Sequence, residues 1–368
     1  MATQETNLAR IGGKTISREE FIRRAEYAPR PAYCRGDDYV HKKIMLNSLI
    51  AEKLLALEAG EDNELTRKPE FLLYLQGRKE QAMRQWQYYQ ESYLKACFDF
   101  GETQTLFDHE VCAHVMHHKA ETLFQPYLVM AKGAKTLEFF QETFLKVADF
   151  VGSHYFKALQ EKRSLAGNLL WCKEDAENVL RQLDESPELI LDEPLFRIDG
   201  HVWTVRDFER EIKIHPLVLR KNDLKRDDFT GQFKLAIMNM VRDRQLTQEA
   251  YWKGYDQVEA VQRNVEIWKD NLFFLYQQNR YLKTLGKQNS FEKKYLQIIE
   301  ADLNPYVDRL QAKYDEEIEI DADLFQKIAL TNRALDPTRR NEPFPVVVPS
   351  FPVVTTDPQL DYGRKMNQ

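Results

Sequence analysis

The stretch IGGKTISREEF at residues 11–21 places two short β-prone runs on either side of Gly12-Gly13 and then a small polar residue ahead of a helical pattern. A Gly-Gly pair in that setting predicts a two-residue hairpin, because the turns that match strand twist need positive φ. Ser-Arg-Glu-Glu at 17–20 predicts a helix start, with Ser17 as cap and Glu20 as the reciprocal acid. IDGHVWTVRDF at residues 198–208 repeats each device. Asp199-Gly200 is the turn, Val202 and Trp203 are strand residues, Thr204 is the cap and Asp207 the acid. Phe208 stands where Phe21 stood, and both face inward.

The likeness continues at an offset of roughly 190 residues. In NSLIAEKLLALEA (residues 47–59), positions 46, 49/50, 53/54 and 57 carry a helical stripe. Ile237, Val241, Leu246, Glu249 and Ala250 match Leu46, Ile50, Leu55, Glu58 and Ala59, and Lys269-Asp270-Asn271 matches Lys79-Glu80-Gln81. Both stretches end in aromatic helices, RQWQYYQESYL (84–94) and IWKDNLFFLYQQNRYL (267–282). The pattern predicts a mainly α protein with two repeated hairpin-plus-helices modules, at 1–100 and 196–300. Between them, 101–195 holds apolar helical stretches at 123–130 and 139–151. Residues 301–335 read as a helix, a short alternating strand at 317–320 and another short helix. The tail, 336–368, holds six of the chain's fourteen prolines, and PFPVVVPSFPVV (343–354) cannot be helical. Such a segment either lies across its own protein or adds to a partner's sheet edge or groove. Phe344, Val347 and Phe351 are its candidate partner-binding residues.

With 368 residues, 43% hydrophobic and 12% aromatic, the chain can build real cores. A net charge of −6 argues against general nucleic-acid binding. No stretch approaches the length of a transmembrane helix, and MATQETNLAR has no apolar core of a signal peptide. Cys34, Cys97, Cys112 and Cys172 fit no zinc or C-x-x-C spacing, so free thiols are expected, with one disulfide as the alternative. His109, His114, His117 and His118 cluster, but HEVCAH is one residue too long for the zincin H-E-x-x-H, and no metal is expected. Without a Walker loop, G-x-G-x-x-G or G-x-S-x-G, no nucleotide cofactor and no nucleophilic hydrolysis are expected.

LARIGGKTISREEFIRRAE followed by KKIMLNSLIAEKLLALEA resembles the N-terminal module of the SurA/PrsA-type extracytoplasmic folding factors. YDEEIEIDADLFQKI resembles that family's closing strand, and the resemblance implies that 317–320 pairs with 9–15. Members often carry parvulin-type peptidyl-prolyl isomerase domains. EVCAHVMHHKAE resembles the first parvulin strand and puts His114 on its histidine. AKGAKTLEFFQETF (131–144) resembles the next helix, and AGNLLW (166–171) resembles the following turn with two glycines replaced, by Ala166 and Leu170. The last strand has no counterpart. Residues 101–195 therefore resemble a small degenerate α+β parvulin-like insertion. One histidine and an altered turn do not assemble the isomerase pocket, and His114 is the catalytic candidate only if activity survives.

The resemblance implies an ATP-independent, periplasmic or otherwise extracytoplasmic folding factor that binds unfolded exported polypeptides. Its alternative is a structural subunit of a cell-envelope complex with one fixed partner. The aromatic runs have two readings. Trp86, Tyr88, Tyr89, Tyr93, Phe273, Phe274 and Tyr276 either fill a core or offer flat amphipathic contact area to clients.

Overall fold

The computed structural model describes residues 7–36, 38–88, 90, 137–165, 190–215, 217, 219, 224–330 and 348–366, with side chains of the 137–165 stretch described to residue 157. Of the region expected to be parvulin-like, 101–195, residues 101–136 and 166–189 lie outside them, with His114 and the other three histidines of its cluster. So do Tyr89, Tyr93, Phe344, Val347, Cys97, Cys112 and Cys172.

The described chain is mainly helical with two small sheets. The first hairpin is β1 (Asn7–Ile11) and β2 (Lys14–Ser17), with Gly12 at φ +56°. The second is β4 (Pro194–Ile198) and β5 (His201–Thr204), with Asp199 at +48° and Gly200 at +84°. Each hairpin feeds a capped helix, α1 (Arg18–Tyr27) and α5 (Val205–Ile214). At α5 the capping box is reciprocal: Thr204 and Asp207 exchange side-chain-to-backbone bonds. At α1, Ser17 accepts from the Glu20 N–H, but the Glu20 carboxylate turns inward to Lys53 instead of closing the box.

β1 is central in its sheet. On its far side, β6 (Ile318–Ile320) pairs antiparallel, with Ala9 opposite Ile320 and Ile11 opposite Ile318, and the Gly12 N–H donates to the Glu317 carbonyl. The closing strand is thus joined to the first strand, over Ala9–Ile11. β7 (Arg364–Lys365) adds in parallel to β6. In the other sheet β4 is central, with β3 (Leu137–Phe139) antiparallel on its far side. The helix expected to include Phe139 instead begins at Gln141, as α4 (Gln141–Leu165). Leu-Glu-Phe alternates and pairs in register with β4, Phe139 opposite Phe196, so the strand wins. β3 and α4 share the Phe-rich core of the second hairpin, with Phe144, Phe196, Phe208, Phe229 and Phe233.

Four long helices connect these ends: α2 (Tyr39–Ala59), α3 (Pro69–Tyr88), α6 (Arg226–Trp252) and α7 (Glu259–Thr284). Their partners cross over. α7 packs along α2, whereas α3 packs on α5 and α6. The two aromatic helices also meet each other, with Phe71 stacked on Phe273 at 5.8 Å and Arg78 over the Trp268 ring at 3.8 Å. At Gly77, α3 approaches α5 so closely that a Cβ would lie 2.2 Å from the Ile214 carbonyl oxygen. After α8 (Phe291–Ile298), a π-helical turn at Ile299–Leu303 leads into α9 (Asn304–Lys313), and α10 (Ala322–Lys327) follows β6.

Candidate functional site

The described aromatic candidates pack toward the interior. Phe273 and Phe274 are fully buried and Tyr88 is buried; Trp86 and Tyr276 are half-buried against apolar clusters. As placed, Phe273, Phe274 and Tyr88 offer no face to a client, because the helices that carry them are shared between both halves of the molecule. Phe351 is also buried, in the core built by α1, α2, β1 and β6. The described part of the tail is therefore a strap on its own protein, and Phe351 is already occupied within the chain.

The strap lies in a crease between α1, α2, α7 and α9. Phe351 and Val354 enter the first core, and Val353 packs over the π-helical turn against Leu282, Ile299 and Leu303. Side chains of the crease hold the strap by its main chain. Arg24 donates to the Ser350 carbonyl at 2.7 Å, Gln278 to the Val353 carbonyl at 2.8 Å, and Asn47 to the Asp357 carbonyl at 2.8 Å. Asn304 Oδ1 accepts from the Thr356 N–H and the Thr355 hydroxyl. Contacts to main chain do not depend on which side chains the held segment carries. Pro349 and Pro352 fix φ locally and bias the preceding residues away from helix, which leaves those carbonyls available.

Beneath the strap is a buried ionic network. Arg24 makes two bonds to Glu52, at 3.0 and 2.7 Å. Asn271 donates to Glu52 at 2.9 Å and reaches the Ser350 carbonyl at 3.4 Å. Lys53 Nζ sits 3.0 Å from both Glu20 and Asp270, and Lys14 binds Asp270 at 2.5 Å. The Lys53–Glu20 approach is an ion pair without hydrogen-bond alignment, since Glu20 Oε1 has no hydrogen-bond partner. Burial raises Glu20 above the ordinary carboxylate range despite Lys53 and Arg24. Burial acts the same way on Asp270, but Lys53 and Lys14 outweigh it and hold Asp270 low. Burial would lower Lys53, yet Glu20, Asp270 and Glu52 together keep it raised and charged. Unpaired, such buried charges are costly; three cations facing three carboxylates make the site tolerable.

A second polar cluster joins α3, α5 and α6. His215 Nε2 lies 2.7 Å from Glu80 and 3.4 Å from Glu211, and the Tyr251 hydroxyl donates to Glu80 at 3.2 Å. Burial would raise Glu80, but the bond and charge of His215 bring it below its usual range. Cys34 is buried and free, and burial pushes its thiol up to about 12, which disfavours the thiolate form. Among the described residues no cluster of three metal-ligating side chains occurs.

The crease residues are absent from the sequence-based candidates. Asn47, Glu52 and Lys53 interrupt the apolar stripe of α2, and a polar residue at a core-facing helical position is the signal that marks them. Comparison with family models, with curated proteins and with solved structures returns no match for the chain.

Proposed function

We propose that the chain is an ATP-independent folding factor of the SurA/PrsA type that holds unfolded, apolar-rich segments of exported proteins in an extracytoplasmic compartment. The observation that carries this reading is the crease, where Arg24, Asn47 and Gln278 bond to main-chain carbonyls beside apolar pockets. A site of that kind accepts polypeptide as a class. The joining of β1 to β6 supports the resemblance in its closing strand. In this reading the two hairpin units are copies of one module, and the crossing of α3 and α7 is an exchange of their third helices.

The test is suppression of aggregation. The purified chain, without nucleotide, is expected to keep several unrelated unfolded proteins in solution. Native purification with mass spectrometry is expected to recover a heterogeneous, substoichiometric set of exported proteins. Failure on every unrelated substrate would sink the reading.

A second reading, a structural subunit with one fixed partner, is favoured by one observation. Trp252 at the end of α6 is 93% exposed, and tryptophan is enriched among the residues that anchor protein–protein interfaces. A single co-purifying protein at fixed stoichiometry would decide for it.

A further inference from the structure

Building on the proposed polypeptide-holding role, we infer that the strap is a resident competitor: residues 350–357 occupy a polypeptide-binding groove, and clients gain it by displacing them. The occupant also defines the client. The groove wants an aromatic or large aliphatic residue, a β-branched residue three positions on, and free carbonyls at the positions of Ser350 and Val353.

Three features lead there. First, the strap is not held as a sheet strand over these residues; its main chain is read by side chains from four elements, α1, α2, α7 and the start of α9. A segment that is simply part of the fold more commonly satisfies its main chain through secondary structure. Second, the groove draws on carbonyls at Ser350 and Val353, which every residue supplies, while prolines stand at 349 and 352. Proline lacks an N–H but keeps its carbonyl. A groove that reads carbonyls therefore admits proline-bearing segments that a β-edge would refuse. Third, an empty crease is unfavourable. The Phe351 and Val354 pockets would be wetted, Gln278 would lose the Val353 carbonyl, and Arg24 and Asn271, still bonded to Glu52, would lose the Ser350 carbonyl. Exchange of one polypeptide for another avoids that state. The competitor lowers apparent client affinity in proportion to the fraction of time it is seated.

The experiment uses a fluorescent synthetic peptide with the sequence of residues 348–366 and the full-length chain. Phe351→Ala removes the strap's largest buried side chain and leaves every groove donor in place. The peptide is expected to bind this variant at least tenfold tighter than the wild type by anisotropy. The double variant Phe351→Ala with Gln278→Leu is expected to lose most of that gain. Equal binding to wild type and Phe351→Ala, or binding to neither while helical circular dichroism is retained, overturns the inference. If Phe351→Ala does not fold, a specific protease site inserted after Arg340 in the otherwise wild-type chain gives the second measurement. After cleavage, the labelled peptide is expected to replace the severed segment; a segment that neither leaves nor exchanges overturns the inference. Aggregation suppression is measured on the same samples. Suppression without peptide exchange removes the competitor and leaves the folding-factor reading, whereas exchange without suppression does the reverse.

Discussion

Arg24 and Glu52, from neighbouring helices and both buried from solvent, face each other fork to fork through two hydrogen bonds of 3.0 and 2.7 Å. Removing one partner strands a charge in the interior. Glu52→Gln is expected to lower stability by about 3–5 kcal/mol, whereas Arg24→Met with Glu52→Leu together cost far less. Urea midpoints at unchanged m-value measure both. Equal losses in the single and double variants would contradict the pairing.

Asp270 and Glu20 share Lys53 but are shifted in opposite directions. For Asp270, held low, the contribution to stability is in place above its unfolded value of about 3.9 and is lost as pH falls through its lower folded value. For Glu20, held high, the folded state binds its proton first on acidification, so ionised Glu20 costs stability above its raised value and the cost is relieved as pH falls. Asp270→Asn is expected to be most damaging near neutrality, with the gap to wild type closing at acid pH. Glu20→Gln is expected to gain on the wild type as pH rises above about 4.3. Parallel pH profiles for the two variants would contradict this assignment.

Gly77 separates propensity from packing. Glycine inside a helix costs about 0.5–1 kcal/mol relative to alanine, so Gly77→Ala would stabilise an isolated α3. Here the new Cβ meets the Ile214 carbonyl at 2.2 Å, backbone against which nothing can rotate away. The expected outcome is a net loss of about 1–3 kcal/mol, read as a lower thermal midpoint. A rise in the midpoint would show that α3 and α5 are less closely joined.

Trp252→Ser is expected to leave stability within about 0.5 kcal/mol of wild type, since the ring is almost wholly exposed. If the chain has a fixed partner at this surface, the same substitution releases it in co-purification. Retention of that partner would place the contact elsewhere.

The turns and caps were legible because their chemistry is local. Gly12-Gly13, Asp199-Gly200, Ser17 and Thr204 announce themselves by residue type alone, and each turn and cap stands where expected. The pattern also located α2, the helix of the second aromatic run and, as far as Tyr88, that of the first. It did not reveal that Glu20 leaves its box for Lys53, because that choice is made by a residue 33 positions away in another helix. Nor did it tell Phe273 as core from Phe273 as surface, since the answer lies in α3 and α7 meeting face to face. The strap was an open choice for the same reason. A proline-rich apolar run rules out helix, but what it lies against is set by Asn47, Gln278 and Asn304, scattered along the chain.

The first sheet has a consequence for how the protein is made. Arg10 and Glu319, opposite each other in β1 and β6, are 309 residues apart. A ribosome adding ~5–20 residues per second leaves β1 without its second neighbour for about 15–60 s. During that interval Leu8, Ile11, Ile16 and Phe21 have a hairpin and helices around them but no Ile318, Phe325, Phe351 or Val354 to close over them. A chain made only that far thus leaves this apolar face open, and it is covered when residues 318–354 follow.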